Sequence, residues 1–164
     1  MRGPQVKWAT PARLVVVPWP DTFLEARGHR PGSAYVEAVW LGVLGPSATW
    51  AWTRLARLAS TRPGVTIDSA DLATSLGLGE GLGPNAAISR TLGRLVAFDA
   101  AQRAGEVIAP RVALGDLPAR HVARLSASAR LGHERLGHSR VPPRPATTPA
   151  ATPEQPISAL GVSL

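Results

Sequence analysis

Apolar positions between residues 33 and 60 repeat at helical spacing. Ser33 is a suitable N-cap for a first helix over residues 34–44, and Gly45-Pro46 ends that helix. A second stripe of apolar positions predicts another helix over residues 47–60. Trp50 lies nearly opposite this second stripe, so we expect the preceding helix to cover it, since a large aromatic side chain favours burial. The extension formed by residues 14–44 should therefore pack on the following module.

Shorter signals follow in a recognisable order. Residues 65–67 are β-prone, Asp68 is a suitable N-cap for a helix that ends at Leu76-Gly77, and a glycine-rich turn leads into a helix over residues 85–97. Residues 101–114 have the pattern of a β-hairpin with a turn at Ala104-Gly105, and Pro110 confines its second strand to a sheet edge. The order helix, strand, helix, helix, hairpin predicts a winged helix-turn-helix module.

These elements predict a mainly α fold with a small β-hairpin wing, in the α+β class. Leu14–Val17 adds a short β candidate near the N-terminus. We divide the chain into a flexible N-terminus (1–13), a docked strand, loop and helix extension (14–45), the winged helix-turn-helix domain (46–118), a C-terminal helix (119–137) and a disordered tail rich in Pro, Thr and Ala (138–164). An interruption near Ser126 could divide the C-terminal helix.

One stretch of the sequence is similar to a segment of small actinobacterial proteins of uncharacterised function. It is Ser33-Ala-Tyr-Val-Glu-Ala-Val-Trp-Leu-Gly-Val-Leu-Gly-Pro-Ser-Ala-Thr-Trp50, and in that family it precedes a winged-helix-like region. The resemblance covers residues 14–136. It implies an actinobacterial origin and a winged-helix-like fold, and it carries over no target.

The composition is basic and lacks cysteine. The formal net charge is +7, and Lys7 is the single lysine among 18 basic residues. A basic balance favours polyanionic partners, although a GC-rich genome also enriches arginine, and a solvated basic surface is the alternative. Without cysteine, disulfides and thiolate chemistry are excluded. The apolar run Leu14–Val17 is too short for a secretory signal and no segment approaches a membrane span, which predicts a cytoplasmic protein without a membrane partner, nucleoid-associated if it binds DNA.

The helix over residues 85–97 is the predicted recognition helix for duplex DNA. Opposite its apolar stripe it carries Arg90 and Arg94 among small residues, and small residues allow the backbone to approach a groove while arginine reaches guanine edges or phosphates. Asn85 and Ser89 lie at the margin of this face. The alternative is that both arginines are merely solvated.

The hairpin offers a second set of candidates. Gln102, Arg103 and Arg111 are the predicted wing contacts, because an arginine at a wing commonly enters the minor groove or contacts phosphate. Glu106 lowers the local positive charge. The DNA-binding set is thus Asn85, Ser89, Arg90, Arg94, Gln102, Arg103 and Arg111, and the predicted function is that of a transcriptional regulator.

A second function class stays open, a winged helix that binds proteins rather than DNA. The N-terminal helix at residues 34–44, which carries Trp40, and the apolar stripe of the C-terminal helix are two candidate homodimer seams, although the latter stripe could equally pack on the domain. The stripe comprises Val122, Leu125, Ala129, Gly132 and Leu136.

The sequence gives no reason to expect an enzyme, a cofactor or a metal site. His133 and His138 are five positions apart, whereas two zinc ligands on one helix face need a spacing of four. The glycine-rich turn lacks the Gly-Lys-Ser/Thr of a phosphate-binding loop. His29 and His121 are isolated in sequence, so we expect them at the surface.

Overall fold

The structure, a computed structural model, describes residues 7–137. The predictions for residues 1–6 and for the tail at 138–164 lie outside the described residues. About half of the described chain is helical, and four short strands form one mixed sheet, so the predicted α+β class is confirmed. Within residues 7–137, no helix combines the length and the apolar character that a membrane span requires.

The sheet contains β1 (Arg13–Val16), β2 (Val65–Asp68), β3 (Ala101–Ala104) and β4 (Val107–Pro110). Strands β3 and β4 form the predicted antiparallel hairpin, and the turn between them contains Gly105 at a φ of 56°. A positive φ at the first central position of a two-residue turn matches the twist of the strands, and glycine adopts it without strain.

Strand β1 is an inner strand, in the order β2-β1-β4-β3, and so is β4. The edge position predicted for β4 from Pro110 is wrong, because Pro110 is its last residue and lies beyond Val107 and Ile108, which pair with β1. Strand β1 runs antiparallel to β2, with Leu14 opposite Ile67, and parallel to β4, with Val16 beside Ile108. A winged helix built from residues 46–118 alone would place β2 directly beside the hairpin. Here the N-terminal strand occupies that position, so residues outside the predicted module complete its sheet.

Seven α-helices surround the sheet in the described chain: α1 (Thr22–Arg27), α2 (Leu41–Leu44), α3 (Pro46–Thr61), α4 (Ser69–Ser75), α5 (Ala87–Ala97), α6 (Ala119–Val122) and α7 (Ala127–Leu136). A π-helical turn, Val36–Trp40, runs directly into α2, so residues 34–44 are helical as predicted. Helix α1 was not predicted. Its signal was Asp21, whose carboxylate accepts the Leu24 amide at 3.1 Å as an N-cap.

The core confirms the apolar stripe of α3 but not the cover predicted for Trp50. Trp52 is fully buried, whereas Trp50 is 65% exposed. The preceding helix directs its own apolar residues Val36, Val39 and Trp40 into the core and contacts α7. Because those side chains pack in the core, none of them reaches the outer face of α3. The prediction that this helix covers Trp50 is therefore wrong.

The predicted C-terminal helix is interrupted near Ser126, as the sequence allowed, and forms two helices. Helix α6 ends at Val122. Ser126 is the N-cap of α7 and accepts the Ala129 amide at 3.2 Å. Leu125 and Ala129 are buried, and a Cβ placed on Gly132 would lie 3.0 Å from the Cβ of Ala38, so α7 packs closely on the helix at 34–44. The two stripes predicted as homodimer seams therefore pack largely on each other within one chain.

Candidate nucleic-acid interface

Helix α5 is strongly amphipathic. Ile88, Leu92 and Leu95 are fully buried against the rest of the core, and α5 packs on α3 and β3. The opposite side of the helix carries Arg90 and Arg94, both exposed, together with the small residues Gly93 and Ala97. Ala86, which the helical period also placed on this side, precedes the helix and packs partly buried against the core. The face predicted from periodicity is therefore the face that the helix presents to solvent.

Helix α5 begins two residues later than predicted. Its first residue is Ala87, and Asn85 lies exposed in the turn that precedes it. Ser89, predicted at the margin of the DNA face, is buried instead. Its hydroxyl lies 2.8 Å from the Thr10 hydroxyl, accepts the Thr10 amide at 3.1 Å and donates to the Leu82 carbonyl at 3.1 Å. With its hydroxyl used in this way, Ser89 cannot contact DNA, and it is removed from the candidate set.

These bonds also show that part of the N-terminal segment packs on the domain. Thr10 is buried, and its amide also donates to the Leu82 carbonyl at 2.9 Å, so the chain at Thr10 lies against the turn that leads into α5. The Ala12 carbonyl accepts the Ser69 amide at 3.0 Å just before β1 begins. The flexible N-terminus predicted for residues 1–13 is wrong for this part. The cause is a contact between positions 79 residues apart, which local sequence does not indicate.

The two arginines of α5 differ in their surroundings. Arg94 donates to the Val43 carbonyl at 2.6 Å, and its guanidinium carbon lies 5.4 Å from the centre of the Phe98 ring. Arg90 has no hydrogen-bond or ion-pair partner for its side chain among residues 7–137. Arg90 can therefore turn toward a ligand without breaking a bond within the described chain, whereas Arg94 must first leave a carbonyl.

The hairpin places one predicted wing residue beside an aromatic ring. The guanidinium carbon of Arg103 lies 4.3 Å from the centre of the Trp8 ring, a cation–π contact, and Lys7 is exposed next to Trp8. Gln102 is exposed on the opposite face of the strand, because successive strand residues alternate. Lys7, which the sequence did not single out, is thus an exposed cation one residue before the ring that Arg103 contacts.

Arg111 is not a wing residue. Pro110 pairs with Ala101 at the open end of the hairpin, so the next residue lies far from the turn. Arg111 forms an ion pair with Asp21 at 3.0 Å, donates to the Asp99 carbonyl at 2.9 Å and stacks on Trp19 with its guanidinium carbon 3.5 Å from the ring centre. Arg111 links the region of α1 to the end of the hairpin. The prediction that it contacts DNA from the wing is replaced by this structural role.

A second polar cluster links the extension to the C-terminal part, and sequence reasoning missed it. His29 pairs with Asp116 at 2.6 Å and stacks on Tyr35 with ring centres 3.8 Å apart. The Tyr35 hydroxyl lies 2.7 Å from Nδ1 of His133 and accepts the Leu117 amide at 2.8 Å. The expectation that His29 is a surface residue is wrong, because its side chain is only 11% exposed.

Burial raises the pKa of Tyr35 from 10 to about 12. The Asp116 carboxylate adds to the rise and the Leu117 amide opposes it. Between pH 10 and about 12, Tyr35 therefore stays protonated in the folded state but loses its proton in the unfolded state. The stability that Tyr35 contributes is present below pH 10 and is lost as pH rises through about 12.

We expect this loss to reach about 2–3 kcal/mol, since one unit of pKa corresponds to about 1.4 kcal/mol. Because Tyr35 is the single tyrosine of the chain, tyrosinate absorbance reports it directly, and denaturant unfolding between pH 9 and 12 measures the stability. Tyr35→Phe should lack this pH dependence. A folded-state titration midpoint near 10 would contradict the prediction.

Comparisons with known proteins do not assign the chain to a family. Scans against protein-family models, curated proteins and solved structures found no match. Within residues 7–137, no group of three or more His, Asp or Glu side chains is placed to hold a metal ion. The candidate interface consequently consists of α5, the turn before it and the wing, with Asn85, Arg90, Arg94, Gln102 and Arg103 at the surface and Lys7 added.

Proposed function

We propose that the protein binds duplex DNA, with α5 in the major groove and the β3–β4 hairpin as a wing, and that it acts as a transcriptional regulator. The observation that carries this proposal is the exposed face of α5. There Arg90 lies near the small residues Gly93 and Ala97, so the helix backbone can approach base edges while one long cation reaches them.

The fold we propose for this role is a winged-helix variant. Helices α4 and α5 form the helix-turn-helix pair, α3 precedes them, and β1 takes the place beside the hairpin that β2 would otherwise fill. The bonds of Ser89 to Thr10 and Leu82 support this role, because they fix the long turn that leads into α5. A fixed turn lowers the entropy lost when the helix enters a groove.

The wing supplies the second contact of the proposed footprint. Arg103 lies over Trp8 and keeps its charge while losing rotamer freedom, and Lys7 adds an exposed cation next to Trp8 in the chain. Two cations at this position suit phosphate or a narrow minor groove. Arg94 takes a smaller part than Arg90, because binding would cost its hydrogen bond to Val43.

Arg90→Ala is expected to weaken binding to a mixed-sequence duplex by about tenfold or more, the size of one lost arginine contact. Arg94→Ala should have a smaller effect. Fluorescence anisotropy of a labelled duplex at low salt measures both. Arg124→Ala is the matched control, since it removes the same charge from an exposed residue that is outside α5 and the wing.

The salt dependence makes this test sharper. A phosphate contact by Arg90 predicts that the slope of log K against log salt falls by about one in the variant, whereas a base contact predicts a loss confined to preferred sequences. If wild-type protein at micromolar concentration shifts no duplex at low salt, or if Arg124→Ala weakens binding as much as Arg90→Ala, the proposal fails.

A further inference from the structure

The outer face of α3 carries the most exposed large apolar side chain of the described chain. This residue is Trp50, and beside it a shallow groove of about 390 Å³ runs along the helix. Leu58 and the methyl groups of Thr53 and Thr61 contribute apolar surface to the groove. Exposing a tryptophan over an apolar groove costs solvation free energy in the isolated chain, and such patches commonly mark interaction sites.

The charges around this groove are all of one sign. Arg54, Arg57 and Arg62 line it, and no carboxylate does. Neither of the two ion pairs in the described part of the chain includes these arginines, and Arg54 makes its side-chain hydrogen bond to the neutral Ser75 hydroxyl. The groove therefore combines apolar surface with guanidinium groups that lack an acidic partner within residues 7–137.

The spacing of the groove residues defines the length of an occupant. Trp50, Arg54, Arg57 and Thr61 follow one another at intervals of three and four along α3, so they form one stripe. At 1.5 Å per residue this stripe is about 16 Å long, which corresponds to about three turns of a helix laid against it.

From this chemistry we propose that the outer face of α3 is a docking site for an amphipathic acidic helix of a partner protein. The apolar side of that helix packs on Trp50 and Leu58, and its carboxylates pair with Arg54, Arg57 and Arg62. A tryptophan anchor with surrounding arginines is the composition that concentrates binding energy at interfaces. Single-stranded nucleic acid fits less well, because such sites stack successive bases on several aromatic rings and this face has one.

The site is independent of the proposed DNA function. All of its residues lie on α3 or in the turn after it, and none lies on α5 or the hairpin. Trp50→Ala should therefore weaken partner binding and leave duplex binding unchanged, whereas Arg90→Ala should do the reverse. Failure of one function is thus distinguishable from failure of the other.

The test uses the full chain and a labelled peptide of about 14 residues, long enough for three helical turns. Leu and Phe occupy positions i, i+3, i+4 and i+7 of the peptide, and Glu or Asp the others. We expect binding in anisotropy titrations that weakens about tenfold or more in both Trp50→Ala and Arg57→Glu, as for loss of an interface anchor. The control Arg124→Glu makes the same charge reversal at an exposed residue on another part of the chain.

Three further measurements decide between the possible occupants of the groove. A scrambled peptide of equal composition should bind at least several-fold more weakly, and equal binding would reduce the site to non-specific charge attraction and overturn the proposal. Tighter binding of an oligothymidylate than of the peptide, lost in Trp50→Ala, would assign the groove to nucleic acid instead. A wild-type dimer in light scattering that Trp50→Ala converts to a monomer would assign it to a second copy of the chain.

Discussion

Replacing Trp52 with alanine is expected to lower the free energy of unfolding by about 4 kcal/mol, the usual size for a fully buried tryptophan. Trp52 is 0% exposed, and its indole N–H donates to the Arg111 carbonyl at 2.7 Å. The substitution opens a large cavity under α3 and leaves that carbonyl without its partner. Since domains of this size are stable by only about 5–15 kcal/mol, the variant should be close to unfolding at ordinary temperature.

Trp50→Ala is the matched control for this prediction. It removes the same side chain two residues earlier on the same helix, but from an exposed position, so we expect a change within about 0.5 kcal/mol. Urea unfolding followed by far-UV circular dichroism measures both variants. Equal destabilisation by the two substitutions would mean that Trp50 is covered in solution and would contradict the exposure on which the docking site depends.

This pair of tryptophans also shows what the sequence can and cannot predict. Helical period alone places Trp50 and Trp52 on opposite sides of α3, because that relation is fixed within one helix. Whether another element covers Trp50 depends on how the preceding helix packs, and that helix directs Val36, Val39 and Trp40 elsewhere. The buried side of a helix is thus predictable, while the neighbours of its outer side are not.

Local signals located most of the other elements for the same reason. Asp68 accepts the Asp71 amide at 2.8 Å as the predicted N-cap of α4, and the turn at Gly105 closes the predicted hairpin. Each of these features depends on residues only a few positions apart. The placement of β1 between β2 and β4 does not, because it joins segments about 50 and 90 residues distant, and nothing in a short strand specifies its neighbour.

The candidate site also divides into residues whose positions follow from local sequence and residues whose positions depend on distant contacts. Exposure of Arg90 follows from the period of α5, and the prediction holds. Ser89 and Arg111 were assigned wrongly because their side chains bond to Thr10 and Asp21, which are 79 and 90 residues away in the sequence. A polar residue at the edge of a helix or hairpin serves either a ligand or a distant segment of its own chain, and only the tertiary structure distinguishes the two.

Deleting residues 1–17 is expected to abolish cooperative folding of the remaining chain, although every element of the predicted winged-helix module would still be present. Leu14 and Val16 are fully buried, and full burial of each such side chain stabilises a domain by about 1.5–3 kcal/mol. The Val15 amide donates to the Glu106 carbonyl at 2.9 Å, so the deletion also opens the sheet beside the hairpin. The combined loss is comparable with the whole stability of a domain.

Thermal unfolding and near-ultraviolet circular dichroism measure the result, and Val15→Thr in the full chain is the control. Val15 lies on the outward side of the same strand and is only partly buried, and threonine keeps the β-branched shape, so this variant should lose no more than about 1 kcal/mol. A sharp transition in the truncated protein would mean that β2 closes directly onto β4 and that β1 is an addition to a self-sufficient module. Without a sharp transition, the wing depends on the N-terminal strand, and substitutions in β1 should then weaken the proposed DNA binding without contacting DNA.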